Sequence, residues 1–370
     1  MVKYKKEGDK MKFTIEDKAM KRRRVKKADQ KRLVYMSLFF FVLALFIVII
    51  YLISARRTTG TTPVSTKKVE QTDQKTINIV NEKSNERPIA VMIDNNIGDA
   101  KHAGLQDSFV NYEIIVEGGL SRIMAIYKDK NTELIGPVRS ARHYFLDYAL
   151  EYDAVYVHYG WSPLAEENIN SLNVQNINGM TDPTPFARDP NLASPHNVFT
   201  TMNKIKNYID TKSYNNTSSN WKALHYSADE INLEKIQTNE LIEAKEVIVN
   251  YSDNEKRSYT YDSENSYYLR NMNGNPHIDR LTNNQLHFKN IIIMKVPNKA
   301  LDSEGRQDLE TVGSGVGYYA TNGYAKKITW SKSSRTSKTT YSYEDGSEVV
   351  LNDGNTFIQI VPTTSGVTIG

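Results

Sequence analysis

The sequence predicts an α/β domain followed by a mostly-β domain, both preceded by one transmembrane helix. Three observations predict this. Residues 33–53 (LVYMSLFFFVLALFIVIIYLI) run for 21 positions without a charge, the length that spans the hydrocarbon core of a bilayer. Over residues 86–212, short continuous apolar runs alternate with segments of helical period, as strands and helices do in a layered domain. From residue 246 onward, one short strand pattern follows another, separated by Asn, Gly and Asp turns.

The charge distribution orients the chain. Residues 1–32 hold 14 Lys or Arg and 5 Asp or Glu, a net +9; the remaining 33 basic and 38 acidic residues give −5, and the chain totals +4. Cytoplasmic flanks of membrane spans are rich in Lys and Arg, so the tail 1–32 is expected inside and the domains outside. The apolar run exceeds a secretory h-region of roughly 7–15 residues, and Ser54-Ala55-Arg56-Arg57 is a poor cleavage site. An uncleaved, single-pass anchor in the cell membrane is therefore expected, with the lipid bilayer as partner of 33–53. The basic run 21–27 (KRRRVKK) beside that span fits topology and anionic lipid, not nucleic acid. The chain contains no cysteine, which excludes disulfides, thiolate metal sites, a thiol nucleophile and a lipid-modified cysteine. Residues 54–85, rich in Thr, Ser, Lys, Gln and Asn, predict a flexible stalk.

The elements follow in order. Residues 89–93 (IAVMI) are a buried strand, and 112–116 (YEIIV) and 122–127 (RIMAIY) are strands joined at Glu117-Gly118-Gly119. Residues 132–135 predict a fourth. Phe145, Tyr148, Ala149 and Tyr152 mark one helix face, and 154–159 (AVYVHY) returns to a buried strand. Ser162-Pro163 supplies an N-cap and a first-turn proline. The same pair at Ser194-Pro195 predicts a helix with Phe199, Met202, Ile205 and Ile209 inward. This gives an α/β domain over 86–220, a connector over 221–245 and a β-rich domain over 246–370. The latter reads as one twisted sheet or an open barrel, with strands near 247–251, 258–261, 266–270, 288–296, 317–320, 325–330, 339–343, 348–351 and 356–361.

The densest group of chemically useful residues lies in the α/β domain. Residues 136–142 (GPVRSAR) join a strand to a helix, where free N–H groups and the helix dipole favour an anion. Arg139 and Arg142 would add bidentate donors for phosphate or carboxylate, with Arg122 beside them and Asp94 and Asn197 at the same edge. The competing reading pairs one arginine with Glu117 or Asp94 to lock the fold. His158, late in its strand, and His196, in the first turn of the Ser194-Pro195 helix, are candidate bases, with Glu117, Asp94 or Asp189 able to supply a carboxylate and Glu117 as the first-named orienter. No HExxH or HxH spacing occurs, so neither a metal nor another cofactor is expected. The polar loop 95–104 (NNIGDAKHAG) follows the first strand and is placed to close over a ligand; it is no phosphate-binding P-loop. Residues 312–317 (VGSGVG) read as a glycine-supplied turn or bulge and not a nucleophile elbow.

Several of these stretches together resemble the YerB-like lipoprotein family: 87–95 (RPIAVMIDN), 112–122 (YEIIVEGGLSR), 135–142 (IGPVRSAR), 158–162 (HYGWS), 194–197 (SPHN), 305–317 (GRQDLETVGSGVG) and 328–332 (ITWSK). The resemblance extends over 86–365. It implies an α/β and a β-rich domain outside the membrane of Gram-positive-type bacteria, with no settled activity and no catalytic residues to transfer. The chain departs from it in having a membrane span where relatives carry a lipidated cysteine, and Phe357 where Trp is common. Residues and resemblance lead to one expectation: a membrane-anchored extracytoplasmic envelope protein binding an anionic ligand, a cell-wall polymer or lipid-linked sugar phosphate. Two alternatives stand beside it, an envelope enzyme acting on a phosphate- or glycan-containing substrate with a His/Glu base, and a structural scaffold of a wall or division complex.

Overall fold

Apolar runs too short for helices build the centre of the fold. In the computed structural model, which describes residues 43–44, 75–97, 101–238 and 240–370, the N-terminal strands are β1 Ile89–Asp94, β2 Val110–Ile115, β3 Ser121–Tyr127, β4 Val155–His158 and β5 Asn176–Asn178. Helices α1 His143–Ala149, α2 Pro163–Ser171 and α3 Met202–Thr211 accompany them. The C-terminal region adds β6 Glu246–Ser252, β7 Glu255–Asp262, β8 Tyr267–Met272, β9 Asn290–Val296, β10 Gly313–Thr321, β11 Tyr324–Lys332, β12 Thr340–Ser342 and β13 Thr356–Pro362. The basic tail and the expected span 33–53 lie outside the described residues, apart from helical Leu43 and Ala44. Among the described residues no helix is long and apolar enough to cross a membrane.

An N-terminal α/β domain and a mostly-β C-terminal region are both present. They are fused by strand order, because the large sheet runs β12-β11-β10-β9-β13-β2-β3-β1-β4-β5. Strand β13, near the end of the chain, lies parallel to both β9 and β2. Strands β2 and β13 are buried along their whole length, as central parallel strands covered on both faces must be. The expected single sheet or barrel of the C-terminal region is instead divided. Strand β6, whose exposure alternates along its length, joins β7, β8 and Val367–Ile369 in a second sheet.

Three local expectations are corrected. Residues 132–135 form no strand; Ile135 makes a single bridge to Thr200. Ser194-Pro195 opens no helix. The buried Phe199 belongs to the strand Val198–Thr200, which pairs with Phe186–Arg188, and α3 starts only at Met202, where Thr201 Oγ1 accepts from Lys204 N–H at 3.1 Å. The glycines of 312–317 lie in or beside regular β10: a Cβ on Gly315 would stand 2.6 Å from the indole of its cross-strand partner Trp330, and one on Gly317 2.3 Å from the Ile293 carbonyl oxygen. These two permit close approach, whereas Gly313, with a φ of 138° and open space where a Cβ would sit, supplies the expected positive φ. The expected stalk also ends earlier than 85. Val80 is buried, and the Asp353 carboxylate accepts from the N–H groups of Asn78 and Ile79.

The two sheets meet on an ion cluster. Glu113, the one charged residue of β2, is fully buried. Its Oε1 lies 2.7 Å from Arg257 Nε on β7, and its Oε2 lies 2.6 Å from Arg270 Nη2 on β8. Ser121, Asn95 and Gln359 also donate to it, at 2.6, 2.8 and 2.9 Å. Burial alone would raise this carboxyl, but Arg257 and Arg270 outweigh it, and with the Ser121 and Gln359 hydrogen bonds they hold it down to about 2. Glu113→Ala leaves two guanidiniums buried without their counter-charge. It should destabilise the protein by about 3–5 kcal/mol, measured as a lower urea midpoint at unchanged m-value; a loss within experimental error would contradict this account of the joint.

Candidate functional site

Strand β1 delivers Asp94 to the end of the sheet, directly opposite Arg122 on β3. Its surroundings come from three separate segments. The backbone N–H of Asp94 donates to the Pro137 carbonyl at 2.8 Å, tying it to 136–142. Its Oδ2 accepts from His196 Nδ1 at 2.7 Å, which brings in the 194–197 turn, and its Oδ1 accepts from Asn96 N–H at 3.2 Å. Arg139 Nε approaches Oδ2 at 3.3 Å. That is ion-pair range, yet this N–H is not aligned for a hydrogen bond. The attraction is coulombic, and the donors of Arg139 remain uncommitted among the described residues.

The other arginines are held differently. Arg142 forks onto Glu117, with Nε–Oε1 at 2.6 Å and Nη2–Oε2 at 2.9 Å, so this pair follows the structural reading. Burial would raise the Glu117 carboxyl, but the Arg142 contact overrides it and lowers it. Arg122 is buried, donates to the Ser140 carbonyl at 2.5 Å and leaves Nε without a partner among the described residues. Burial, reinforced by Arg142, lowers it to about 10. Arg142 also borders a cleft of about 210 Å³ with Ser162, Leu164 and Leu301.

Part of the expected anion site is absent. Several backbone N–H groups of the turn 136–142 are already spent: Val138, Arg139 and Ala141 donate to the carbonyls of Val198, Met92 and Gly160. Helix α1, seven residues long, has no side-chain cap at its start. The guanidiniums are the main charged donors at this edge. His196 lies in a turn, not at a helix start, and of the three candidate carboxylates it is Asp94, not Glu117 or Asp189, that contacts it. His158 does not join the cluster. Its Nδ1 contacts the Gly160 carbonyl at 2.8 Å and its Nε2 contacts Asn176 Oδ1 at 3.0 Å. Asn197 stands beside His196 but accepts from Arg188 Nη1 at 2.7 Å, and Asp189 pairs with Arg280 at 2.6 Å.

The residues that sequence reasoning missed sit behind Asp94. His102 Nε2 lies 2.6 Å from the Asp94 carbonyl oxygen, and His102 Nδ1 lies 2.6 Å from His277 Nε2. His277 Nδ1 contacts Arg270 Nη1. Since a guanidinium only donates, His277 Nδ1 accepts. His277 Nε2–H then donates to His102 Nδ1, and His102 Nε2–H donates to Asp94. The arginine thus fixes both tautomers. Burial lowers His102 to about 4, and burial with Arg270 holds His277 well below the usual imidazole value, consistent with two neutral rings. Glu113 inside an apolar run was a visible signal for this network. Arg257, Arg270 and His277 had none, because only sheet packing brings them there. Among the described residues no group of three or more His, Asp or Glu is placed to hold a metal ion.

With this geometry in hand, comparison with known proteins is informative. The N-terminal domain of the family described as protein of unknown function (DUF3048) matches residues 76–215, and its C-terminal domain matches 247–358. The chain belongs to the YerB-like family. A curated relative named "Putative lipoprotein YerB", from Bacillus subtilis (strain 168), is 29% identical over 287 residues, covering 76% of this chain and 83% of the relative. The crystal structure of YerB protein from Bacillus subtilis matches with a TM-score of 0.67 at 27% identity, over 76% of this chain and 94% of that one. YerB-like membership accounts for the paired domains and leaves the chemistry of the Asp94 crevice to be argued from its residues.

His158 offers a clean test of its buried position. Burial lowers its imidazole from 6.5 to about 4, without a charged neighbour among the causes. Between those values the unfolded chain binds more protons than the folded one. This contribution to stability is therefore intact above the unfolded value and lost as pH falls toward the folded one. Relative to the non-titrating His158→Gln, the wild type should lose about 2–3 kcal/mol of unfolding free energy between pH 7 and pH 4.5, measured by urea titration at each pH. A pH-independent difference would place His158 in contact with solvent.

Proposed function

We propose that the protein is a membrane-anchored, extracytoplasmic envelope protein that binds an anionic group at Arg139, with Arg122 and Arg142 behind it. One observation carries the reading. Three guanidiniums gather around two carboxylates, Asp94 and Glu117, and among the described residues Arg139 alone of the three makes no aligned side-chain hydrogen bond. An approaching phosphate or carboxylate meets a surplus positive charge and planar donors suited to bidentate contact. Arg139 and His196 are accessible enough to reach it, with side chains 29% and 28% exposed. The envelope location is supported by the relative's printed name, lipoprotein, and by the uncharged run 33–53 next to a +9 tail. A cell-wall polymer and a lipid-linked sugar phosphate both offer the required anion.

Hydrogen bonds to charged groups contribute about 1.5–3 kcal/mol each, so loss of both Arg139 contacts corresponds to a weakening of at least about 100-fold. The test uses the full-length protein in an amine-oxide detergent, which carries neither phosphate nor sugar, titrated with inorganic pyrophosphate by calorimetry. The wild type should bind, Arg139→Ala should bind at least about 100-fold more weakly, and Arg139→Lys should fall between. A folded wild type that takes up no pyrophosphate would sink the reading.

A second reading is favoured by the Asp94–His196 contact. With Nδ1–H donated to the carboxylate, Nε2 is the ring's accepting nitrogen, the arrangement of an oriented general base. On this reading His196→Ala abolishes product release from wall or lipid-linked substrates while pyrophosphate affinity stays within a few-fold. Wild-type protein that releases no product leaves binding as the function.

A further inference from the structure

A second cleft, of about 450 Å³, opens between the loop after β1 and the β8 hairpin. Asn95, Asn96, Asn273 and Asn275 line it together with His102 and His277. Its volume lies within the roughly 300–1,000 Å³ of small-molecule sites. Its chemistry differs from that of the arginine crevice. Glu255 at its edge is already paired with Arg257, and Lys101 reaches Asn283 Oδ1 at 3.3 Å. The two imidazoles are tied into the chain that runs from Arg270 to Asp94. Asn95 is 4% exposed and spends both hydrogens of its amide on Glu113 and Ser121, each at 2.8 Å, while its Oδ1 has no donor among the described residues.

These groups select among ligand classes. An apolar ligand would cover carboxamides without satisfying them, at a cost for every buried polar atom. Among the described residues an anion would find one lysine and no guanidinium free of a carboxylate. Hydroxyl groups both donate and accept, and a carboxamide offers both functions in one plane. The Met272 and Pro276 side chains, which share the lining, add apolar surface for the C–H faces of a sugar ring. We infer that this cleft binds neutral sugar residues of a glycan. The inference goes beyond the anion-binding reading and does not depend on it. The neutral histidines form a wall of the cleft and also hold the Asp94 carbonyl, so an occupied cleft and the arginine crevice share one rigid partition.

The probes are chitotriose and maltotriose, titrated into the full-length protein in the same amine-oxide detergent and followed by calorimetry. Binding of at least one of them is expected. It should weaken at least about tenfold, the worth of roughly one hydrogen bond, in the double variant Asn96→Ala/Asn275→Ala. Both side chains are exposed. The substitution at 96 keeps the backbone N–H that Asp94 uses, and Asn275 makes only a 3.4 Å contact with the Asn273 carbonyl, so the variant retains its fold. No binding of either oligosaccharide at millimolar concentration, or equal binding by the double variant, overturns the inference. Pyrophosphate titrations of the same samples keep the two sites apart: sugar binding without pyrophosphate binding defeats the anion reading alone, and the reverse defeats the glycan cleft alone.

Discussion

The fully buried carboxylate of Glu113 organises the molecule. It sits on β2 with β13 on one side and β3 on the other, and it draws a donor from each: Gln359 from β13 and Ser121 from β3. The second sheet contributes Arg257 and Arg270, and the Tyr251 hydroxyl donates to the Glu113 backbone carbonyl at 2.7 Å. Removing a carboxylate from water costs several kcal/mol, and close counter-ions offset that only when the remaining lone pairs are also satisfied. Five side-chain donors meet this condition. They also fix register. A slip of one residue in β2 would turn Glu113 to the opposite face, away from both arginines.

The same cluster reaches the candidate site. Arg270 touches Glu113 with one terminal nitrogen and His277 with the other. Through His277 and His102 the chain of donors ends on Asp94, whose side chain in turn orients His196. A group from the mostly-β region therefore sets the position of a carboxylate that belongs to the α/β region. Crossing elements hold the far end as well: Lys332 on β11 pairs with buried Glu151 at 2.7 Å, and Arg335 pairs with Asp147 of α1 at 2.6 Å. The C-terminal half thus encloses the helix that follows 136–142. This gives a physical reason for two regions, separable in sequence, to form one compact unit over Gln74–Gly370.

Much of this was legible where the signal is local. Period-two and continuous apolar runs placed β1, β3, β4 and β13, and Ser162-Pro163 marked the start of α2, where Ser162 Oγ accepts from Ala165 N–H at 3.3 Å. Local signals misled where a nonlocal partner decides the outcome. Ser194-Pro195 has the composition of a helix start, but Phe186–Arg188 captures Val198–Thr200 as a strand. Glycines read as a turn or bulge at 315 and 317 instead make room for a tryptophan ring and a carbonyl across the sheet, and only Gly313 supplies a positive φ. The candidate site shows the same division. Asp94, Arg122, Arg139 and His196 were nameable from residue type and strand ends. His102 and His277, 175 positions apart, could not be paired by any local pattern.

The two carboxylates of the arginine cluster are not equivalent, and this determines what an incoming anion can do. Glu117 takes both prongs of Arg142, so a ligand competing there would have to break two short, aligned hydrogen bonds. Asp94 is satisfied by His196 and Asn96, and its hold on Arg139 is charge attraction at 3.3 Å without alignment. Turning Arg139 toward an anion therefore sacrifices no aligned hydrogen bond and converts a partly screened attraction into bidentate contact. The nearby Arg142 is kept in place by Glu117 and contributes field without leaving its partner. On the anion-binding proposal the two pairs have different parts: the aligned Arg142–Glu117 pair preserves the crevice, and the unaligned Arg139–Asp94 pair leaves it a group free to turn.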